Sequence, residues 1–509
     1  MPTERTTDAE SGTYREVRTE AGIVRGRVAG PVSTFRGVPY AAAPEGRRRY
    51  GVPEPVAAWA GVRDALDPGP SAPQSESRRT FAGLDLFAVT GATWRPGADY
   101  LTANVWAPPD ARNRPVMVYV HGGGLVLGTK DAAVYSGDRF ARDGVVAVNL
   151  NYRLGVEGFL PVPGAPTNLG LRDLIAGLSW VRRNISAFGG DPANVTVFGE
   201  SGGGIAVACL VVSPLARGLF RRTIVQSGHG SAVYPVPIAQ RTVRRLAQEL
   251  KVAPTVEGFR SVAPGSTVDA LARLARPGRV DLRDDSGFDP SFGLGLINPV
   301  HGDDVLPEHP LRALAEGAGR DVDLLIGTTA EEARFWSGPT RLEYLPRPVA
   351  RWLLARIAPQ ARELFAAYTA AFPGERGGAT LTRVLSDVAF RRPARQFAEE
   401  HQGRTHVYEF DWRSPAAGGR LGAAHGLELP FVFDTLDTVT GPHGFAGTAP
   451  PQALADRVHR LWIDFASTGD LPWPPFDRQA RAVHQLAGQV TVREDPFPAA
   501  RIGRWAAPA

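Results

Sequence analysis

Sulfur is almost absent from this sequence, which holds one cysteine, Cys209, and two methionines in 509 residues. A single thiol forms no intramolecular disulfide and supplies no cysteine-based metal site, so neither a disulfide scaffold nor a cysteine-bound metal is expected. Lysine is nearly as rare: Lys130 and Lys251 stand among basic residues that are otherwise arginine, a bias of genome composition rather than of function. No excess of one charge is present either. The 57 Lys+Arg and 52 Asp+Glu leave a formal net charge of +5, too thin over so long a chain for an electrostatic nucleic-acid binder. Long apolar runs are lacking, since no stretch reaches the ~18–20 residues that cross a bilayer. The N-terminal MPTERTTDAESGTYREV is polar, without the apolar segment of a signal peptide. A soluble cytoplasmic protein is expected, with neither membrane nor nucleic acid as partner.

What is present is 43% hydrophobic residues, ample for a large core. Length alone suggests several domains, but large α/β enzymes keep one sheet and add insertions. Short β-prone runs recur at Val116–Val120, Val145–Leu150, Val195–Phe198, Thr223–Gln226, Leu324–Ile326 and His406–Phe410, often followed by Gly-rich turns and helical patterns. That alternation predicts a largely parallel sheet covered on both faces. Within Asn168–Phe188, Leu171, Ile175, Leu178, Val181 and Ile185 recur in steps of three and four, the mark of an amphipathic helix, which stops at Phe188-Gly-Gly-Asp-Pro192. No fixed-period repeat occurs. Residues 1–16 read as a disordered tail and 17–509 as a single catalytic domain. Gly69–Ala98 reads as a long loop, residues 255–300 as a second insertion, and the helical patterns of 342–400 as a lid-like insertion.

The strongest local signal is Gly199-Glu200-Ser201-Gly202-Gly203, between the β-prone Val195–Phe198 and the apolar Gly204–Leu210. This is a G-x-S-x-G nucleophile elbow in its strand–turn–helix context. The serine must stand clear of the strand end, and the positions two before and two after it must be small. A helix that starts there points its free amides at developing negative charge. Upstream, His121-Gly122-Gly123-Gly124 follows Val116–Val120 directly, as in a glycine-rich oxyanion loop. Glycine lets backbone amides approach an oxyanion unobstructed. A serine hydroxyl needs a base; among ten histidines, His425 lies in Gly422-Ala-Ala-His-Gly426, flanked by small residues. The order nucleophile, acid, base puts the acid between 201 and 425, just past a strand. Leu324-Leu-Ile-Gly-Thr-Thr-Ala-Glu-Glu-Ala333 offers both Glu331 and Glu332, and spacing does not choose between them.

Further motifs extend along the chain: Phe35-Arg-Gly-Val-Pro-Tyr-Ala41, Trp59–Asp64, Asp99–Val105, Asn151-Tyr-Arg-Leu-Gly155, Phe188–Pro192, Gln226-Ser-Gly228 and Phe465–Asp470. With these, residues 20–480 resemble the type-B carboxylesterases, the family of cholinesterases and bacterial para-nitrobenzyl esterases. The resemblance implies an α/β-hydrolase fold, a large mostly parallel sheet flanked by helices. It implies a Ser201–Glu332–His425 triad, an oxyanion hole of the Gly123, Gly124 and Gly202 amides, and supporting roles for Glu200 and Ser227. It implies no metal and no organic cofactor. Tyr100 replaces the family's cysteine, in keeping with a reducing compartment. The family usually has alanine where this chain has Gly202, V-D-G where it has Val300-His301-Gly302, and glycine where it has Ala333. Because a backbone amide donates whatever the side chain, alanine at 202 is expected to preserve activity or raise it slightly.

The function implied is hydrolysis of a small-molecule carboxylic ester through an acyl-enzyme, by a monomer or weak homo-oligomer. Acyl transfer to another alcohol, or lactone opening or closing, would use the same triad. A non-catalytic cholinesterase-like binding domain would typically lack a triad member. Trp94, Phe292, Trp336 and Trp352 are candidate pocket aromatics.

Overall fold

Runs such as Met117-Val-Tyr-Val120 and Val146-Ala-Val148 are apolar at every position, which suits strands covered on both faces. In the computed structural model of the protein, these runs lie in strands Arg114–Val120 and Val146–Leu150. The structure describes residues 13–493 and 498, except 77–79, 82, 92–93, 277, 294, 357 and 359. The main sheet has 13 strands. From one edge the order is Thr13–Arg18, Ile23–Ala29, Val32–Pro39, Thr102–Ala107, Val146–Leu150, Arg114–Val120, Gly190–Glu200, Arg222–Gln226, Asp323–Thr329, Thr405–Phe410, Ala482–Gln485 and Val490–Arg493. Val62–Asp64 pairs beside Ile23–Ala29. Pairing is parallel from Val146–Leu150 through Ala482–Gln485 and antiparallel toward both edges.

The period-two geometry of a strand divides its side chains between two layers. Val116, Val118 and Val120 enter one core with Leu174 and Leu178 of the covering helix, whereas Met117 and Tyr119 enter the other with Phe433 and Trp462. Each fully buried Val, Leu or Phe contributes about 1.5–3 kcal/mol relative to an exposed one. The helix expected within Asn168–Phe188 runs from Leu169 to Asn184, tightens to 3₁₀ over Ile185–Phe188 and stops at Gly189 with φ 96°.

Two expectations need correction. The tail read through residue 16 ends earlier, because Thr13–Arg18 pairs with Ile23–Ala29 as an edge strand; residues 1–12 lie outside the described residues. Gly69–Ala98 is not all loop: it holds a small hairpin, Thr80–Phe81 with Leu84–Asp85, and a helical turn at Phe87–Thr90. Residues 342–400 contain the helices Arg347–Ala355, Ala361–Ala371 and Gly377–Ser386, packed around Leu354, Leu364, Tyr368 and Val384, and Arg392–Glu400, whose Ala394 and Phe397 enter the main core. Between the last two, Asp387–Arg391 forms a π-turn, a break in helical register of the kind often found at functional sites. Among the described residues, no helix is long and apolar enough to cross a membrane.

The parallel strands end together on one side of the sheet. There Val120 runs into Gly122–Gly124, Glu200 into Ser201, Gln226 into Ser227, and Thr329 into Glu332. Ligands of open α/β sheets bind at these carboxyl ends.

Candidate active site

Ser201 occupies a backbone conformation that L-residues rarely adopt, φ 56° and ψ −122°, at a cost of roughly 1–3 kcal/mol. Neighbours hold it there. Its N–H donates to the Gln226 carbonyl at 2.9 Å, and its own carbonyl accepts the Ile205 N–H at 2.9 Å, the first bond of helix Gly202–Val212. The turn leaves no room around it: a Cβ on Gly199 would lie 2.7 Å from the Gly203 carbonyl carbon, and one on Gly203 would lie 2.1 Å from the Val120 oxygen.

The glycine turn after Val120 lies against this elbow. Val126 and Leu127 donate to the Gly123 carbonyl, and Gly155 donates to the Leu125 carbonyl at 2.7 Å. The Gly123 and Gly124 amides have no acceptor among the described residues, and Gly202, first in its helix, has no intrahelical one. The Asn151-Tyr-Arg-Leu-Gly155 motif accounts for the position of the turn. Tyr152 Oη donates to the His121 carbonyl at 2.7 Å and its ring stacks on the His121 imidazole. Arg153 anchors this support through a fully buried ion pair with Asp173 at 2.6 Å and a bond to the Gly51 carbonyl.

His425 and Glu332 meet across the loops that follow two neighbouring strands. Nδ1 of His425 lies 2.6 Å from Oε2 of Glu332. The other oxygen, Oε1, accepts from Ser227 Oγ at 2.7 Å and from the Thr329 amide at 2.8 Å, so the carboxylate has no freedom to rotate. Glu331 points elsewhere: it pairs with Arg334 and Arg413 and accepts from the Ala423 amide. On its opposite edge, His425 Nε2 lies 3.2 Å from Glu200 Oε1, an oxygen with no hydrogen-bond partner among the described residues. Ser201 Oγ makes no hydrogen bond among the described residues; catalytic bonds of this kind commonly close only when substrate binds.

The charges around the imidazole oppose one another. Burial disfavours the imidazolium of His425, but the facing carboxylates of Glu200 and Glu332 outweigh it and push the ring up to about 9. Burial drives Glu200 toward its protonated form, aided by the charge of Glu332. Glu428, three residues past His425, is driven the same way by burial and by Glu200 and Glu332. Each proton that Glu200 or Glu428 takes up removes negative charge beside His425 and brings its basic form nearer neutrality.

Ser201, His425, Gly123, Gly124, Gly202, Glu200 and Ser227 all line one cavity of about 390 Å³; Glu332 lies behind His425, fully buried. Of the candidate aromatics, Phe292 and Trp336 line the cavity. Trp94 packs near Gly265 instead, and Trp352 is 57% exposed. Three neighbours of the candidate site were not singled out in the sequence. Phe390, delivered by the π-turn, and Phe335 flank the His425 ring with Trp336, at centroid distances of 4.9, 6.3 and 5.4 Å. Glu428 receives Gln226 Nε2 at 3.4 Å, and its one signal was the short spacing after His425. Among the described residues no cluster of three or more His, Cys, Asp or Glu could hold a metal.

The departures from the family pattern have local explanations. Ala333 has φ −69° and needs no glycine. Beyond His301, Asp303 accepts the Val305 and Leu306 amides. Tyr100, in the place of cysteine, is buried and donates to Glu157. The surroundings of Gly202 bear on the expectation made for it. A Cβ there would lie 2.8 Å from the Leu125 nitrogen and 3.1 Å from the Gly124 nitrogen. Alanine would therefore press on the backbone that carries the free amides.

Comparison with known proteins agrees with this fold. The model of the carboxylesterase family matches residues 13–498. The chain is 34% identical to the para-nitrobenzyl esterase of Bacillus subtilis (strain 168), covering 95% of this chain and 97% of that protein. It is 34% identical to the phenmedipham hydrolase of Pseudarthrobacter oxydans, covering 91% and 93%. Among solved structures, a carboxylesterase of Geobacillus stearothermophilus superimposes with a TM-score of 0.80 at 33% identity, covering 96% of this chain and 99% of that one. With an α/β-hydrolase sheet, a strained serine at its carboxyl edge and a family match along almost its whole length, the chain belongs to the carboxylesterase family.

Proposed function

We propose that Ser201, His425 and Glu332 are the nucleophile, general base and orienting acid of this carboxylic ester hydrolase. His425 takes the Ser201 proton as Oγ attacks the acyl carbon, and the Gly123, Gly124 and Gly202 amides donate to the resulting oxyanion. His425 then protonates the departing alkoxide, leaving the acyl on Ser201. Water, deprotonated by the same imidazole, attacks that ester, and the carboxylic acid leaves as Ser201 regains its proton. Glu332 holds the imidazole tautomer and stabilises its charged form, Ser227 fixes Glu332, and Glu200 sets the charge beside Nε2. Every step uses groups of the protein and water alone. The single observation that carries this reading is the 2.6 Å contact of Glu332 with His425, whose ring lines the cavity that also holds Ser201 and the free amides.

The same chemistry with another alcohol in place of water would give acyl transfer or lactonisation. Hydrolysis is preferred because the relatives at 34% identity are an esterase and a hydrolase. A purely adhesive role is disfavoured by the presence of all three triad residues. A cytoplasmic setting is part of the proposal; the lone, fully buried Cys209 and the tyrosine at position 100 fit a reducing compartment. Ser201→Ala is expected to lose about 10⁶-fold in kcat and to escape labelling by an organophosphate. Turnover above a few per cent of wild type in a contaminant-free preparation would overturn the assignment.

A further inference from the structure

On the far side of the oxyanion turn lies a second cavity, of about 330 Å³. The two cavities share a wall: Gly124, Val126, Leu127, Gly295 and Ile297 line both. Two of these five, Gly124 and Gly295, are glycines, which bring no side chain to the partition. A Cβ on Gly295 would find nothing nearer than the Ile297 oxygen at 3.8 Å, and one on Gly124 nothing nearer than Val126 Cγ2 at 4.0 Å. Gly295 therefore borders open space. Its φ also lies outside the left-handed region that would strain a side chain.

The second chamber suits hydrocarbon. Its walls come from Val156 and from Val268 and Leu271 on helix Pro264–Leu274, with Leu296 at the partition. Of its polar side chains, Ser75 is exposed, and the two buried ones are engaged elsewhere. Glu157 is held by Arg49 at 2.7 Å and by Tyr100, and Thr267 Oγ1 donates to the Pro264 carbonyl of its own helix. A polar ligand would find no free buried partner among these groups, whereas an alkyl or aryl group would cover apolar surface and release its water. Ala272 and Ala275, both exposed, mark its outer mouth.

We infer that this chamber is a subsite for the distal part of an elongated apolar ester, one arm of which passes from Ser201 between Gly124 and Gly295. The inference rests on the ester-hydrolase reading above and names the substrate class for that site. A ligand that bridges both chambers buries apolar surface remote from the reacting carbonyl, so each added methylene should strengthen binding until the outer mouth is reached. Because that mouth is open, activity should level off with length rather than fall abruptly.

The test uses two series of esters with the full-length enzyme: p-nitrophenyl esters with unbranched acyl chains of about two to twelve carbons, and acetates of alcohols of the same range. Wild type is compared with Gly295→Trp, which plugs the passage, and with Val268→Trp, which fills the far chamber from its outer wall. The readout is the ratio of kcat/KM for the longest to the shortest member. In at least one series that ratio is expected to rise with length in wild type and to fall at least tenfold in both variants. Ratios within twofold of wild type in both series, with the variants folded by circular dichroism, would overturn the subsite. Absence of wild-type turnover on every short ester would instead refute the hydrolase reading, which separates the two failures.

Discussion

The ideal Cβ position of Gly202 falls 2.8 Å from the backbone nitrogen of Leu125. Backbone does not swing aside as a flexible side chain does, so an alanine at 202 must displace the glycine turn or the helix start. Either movement changes the spacing of the Gly123, Gly124 and Gly202 amides. Loss of one oxyanion donor costs about 10²–10³ in kcat. Gly202→Ala is therefore expected to lower kcat by about tenfold to a hundredfold, with KM little changed and the protein still folded. Steady-state kinetics with thermal melting checks this; unchanged or raised kcat would mean that the turn yields freely.

Glu332 and Glu331 are adjacent but differently placed, and their amide variants should separate cleanly. Glu332→Gln removes the charge that stabilises the imidazolium and offers an N–H or a neutral oxygen to His425 Nδ1, so kcat is expected to drop by about 10³–10⁴, as for other triad acids. Glu331→Gln keeps an oxygen for the Ala423 amide and loses only partly exposed pairs with Arg334 and Arg413, each worth about 0–1 kcal/mol. Its kcat should stay within about threefold of wild type on the basis of that small energy. The reverse pattern in parallel kinetic assays would move the acid to Glu331.

The pH dependence should report Glu200. His425 must be neutral to act as base, so kcat/KM rises with pH through the ionisation of the free enzyme. After burial, which lowers it, the charge of Glu200 is the largest influence on His425, and it raises the imidazole. Glu200→Gln removes that negative charge, stabilises the basic form and should shift the acidic limb of the profile to lower pH. A limb that stays in place would show that Glu200 is already protonated in the free enzyme.

Much of this was legible in the sequence because its signals are local. The elbow Gly199–Gly203, the turn His121–Gly124 and the strands that precede them lie within short windows, and their steric needs are written in glycine. The pairing of Glu332 rather than Glu331 with His425 was not legible from spacing. Both follow the same strand, and only the path of the turn decides which faces the histidine loop. The role of Asn151–Gly155 was equally hidden, since a tyrosine and an arginine in a motif do not reveal that one holds the His121 carbonyl and the other buries its charge on Asp173. Phe390 escaped because a π-turn breaks the helical period that would have predicted its direction. The tight surroundings of Gly202 were not legible, because an ångström-scale contact with Leu125 lies below the resolution of any sequence pattern.

The scarcity of sulfur acquires a practical meaning once the layers of the fold are known. Cys209 lies in the apolar layer on one face of the sheet and Met117 in the layer on the other, each fully buried. Burial also drives the Cys209 thiol far from its reactive, ionised form. Thiol reagents thus reach this position only when the helix Gly202–Val212 leaves the sheet. The native protein carries its own stopwatch: the rate at which a maleimide reacts at position 209 measures how often the layer directly beneath the nucleophile opens to water.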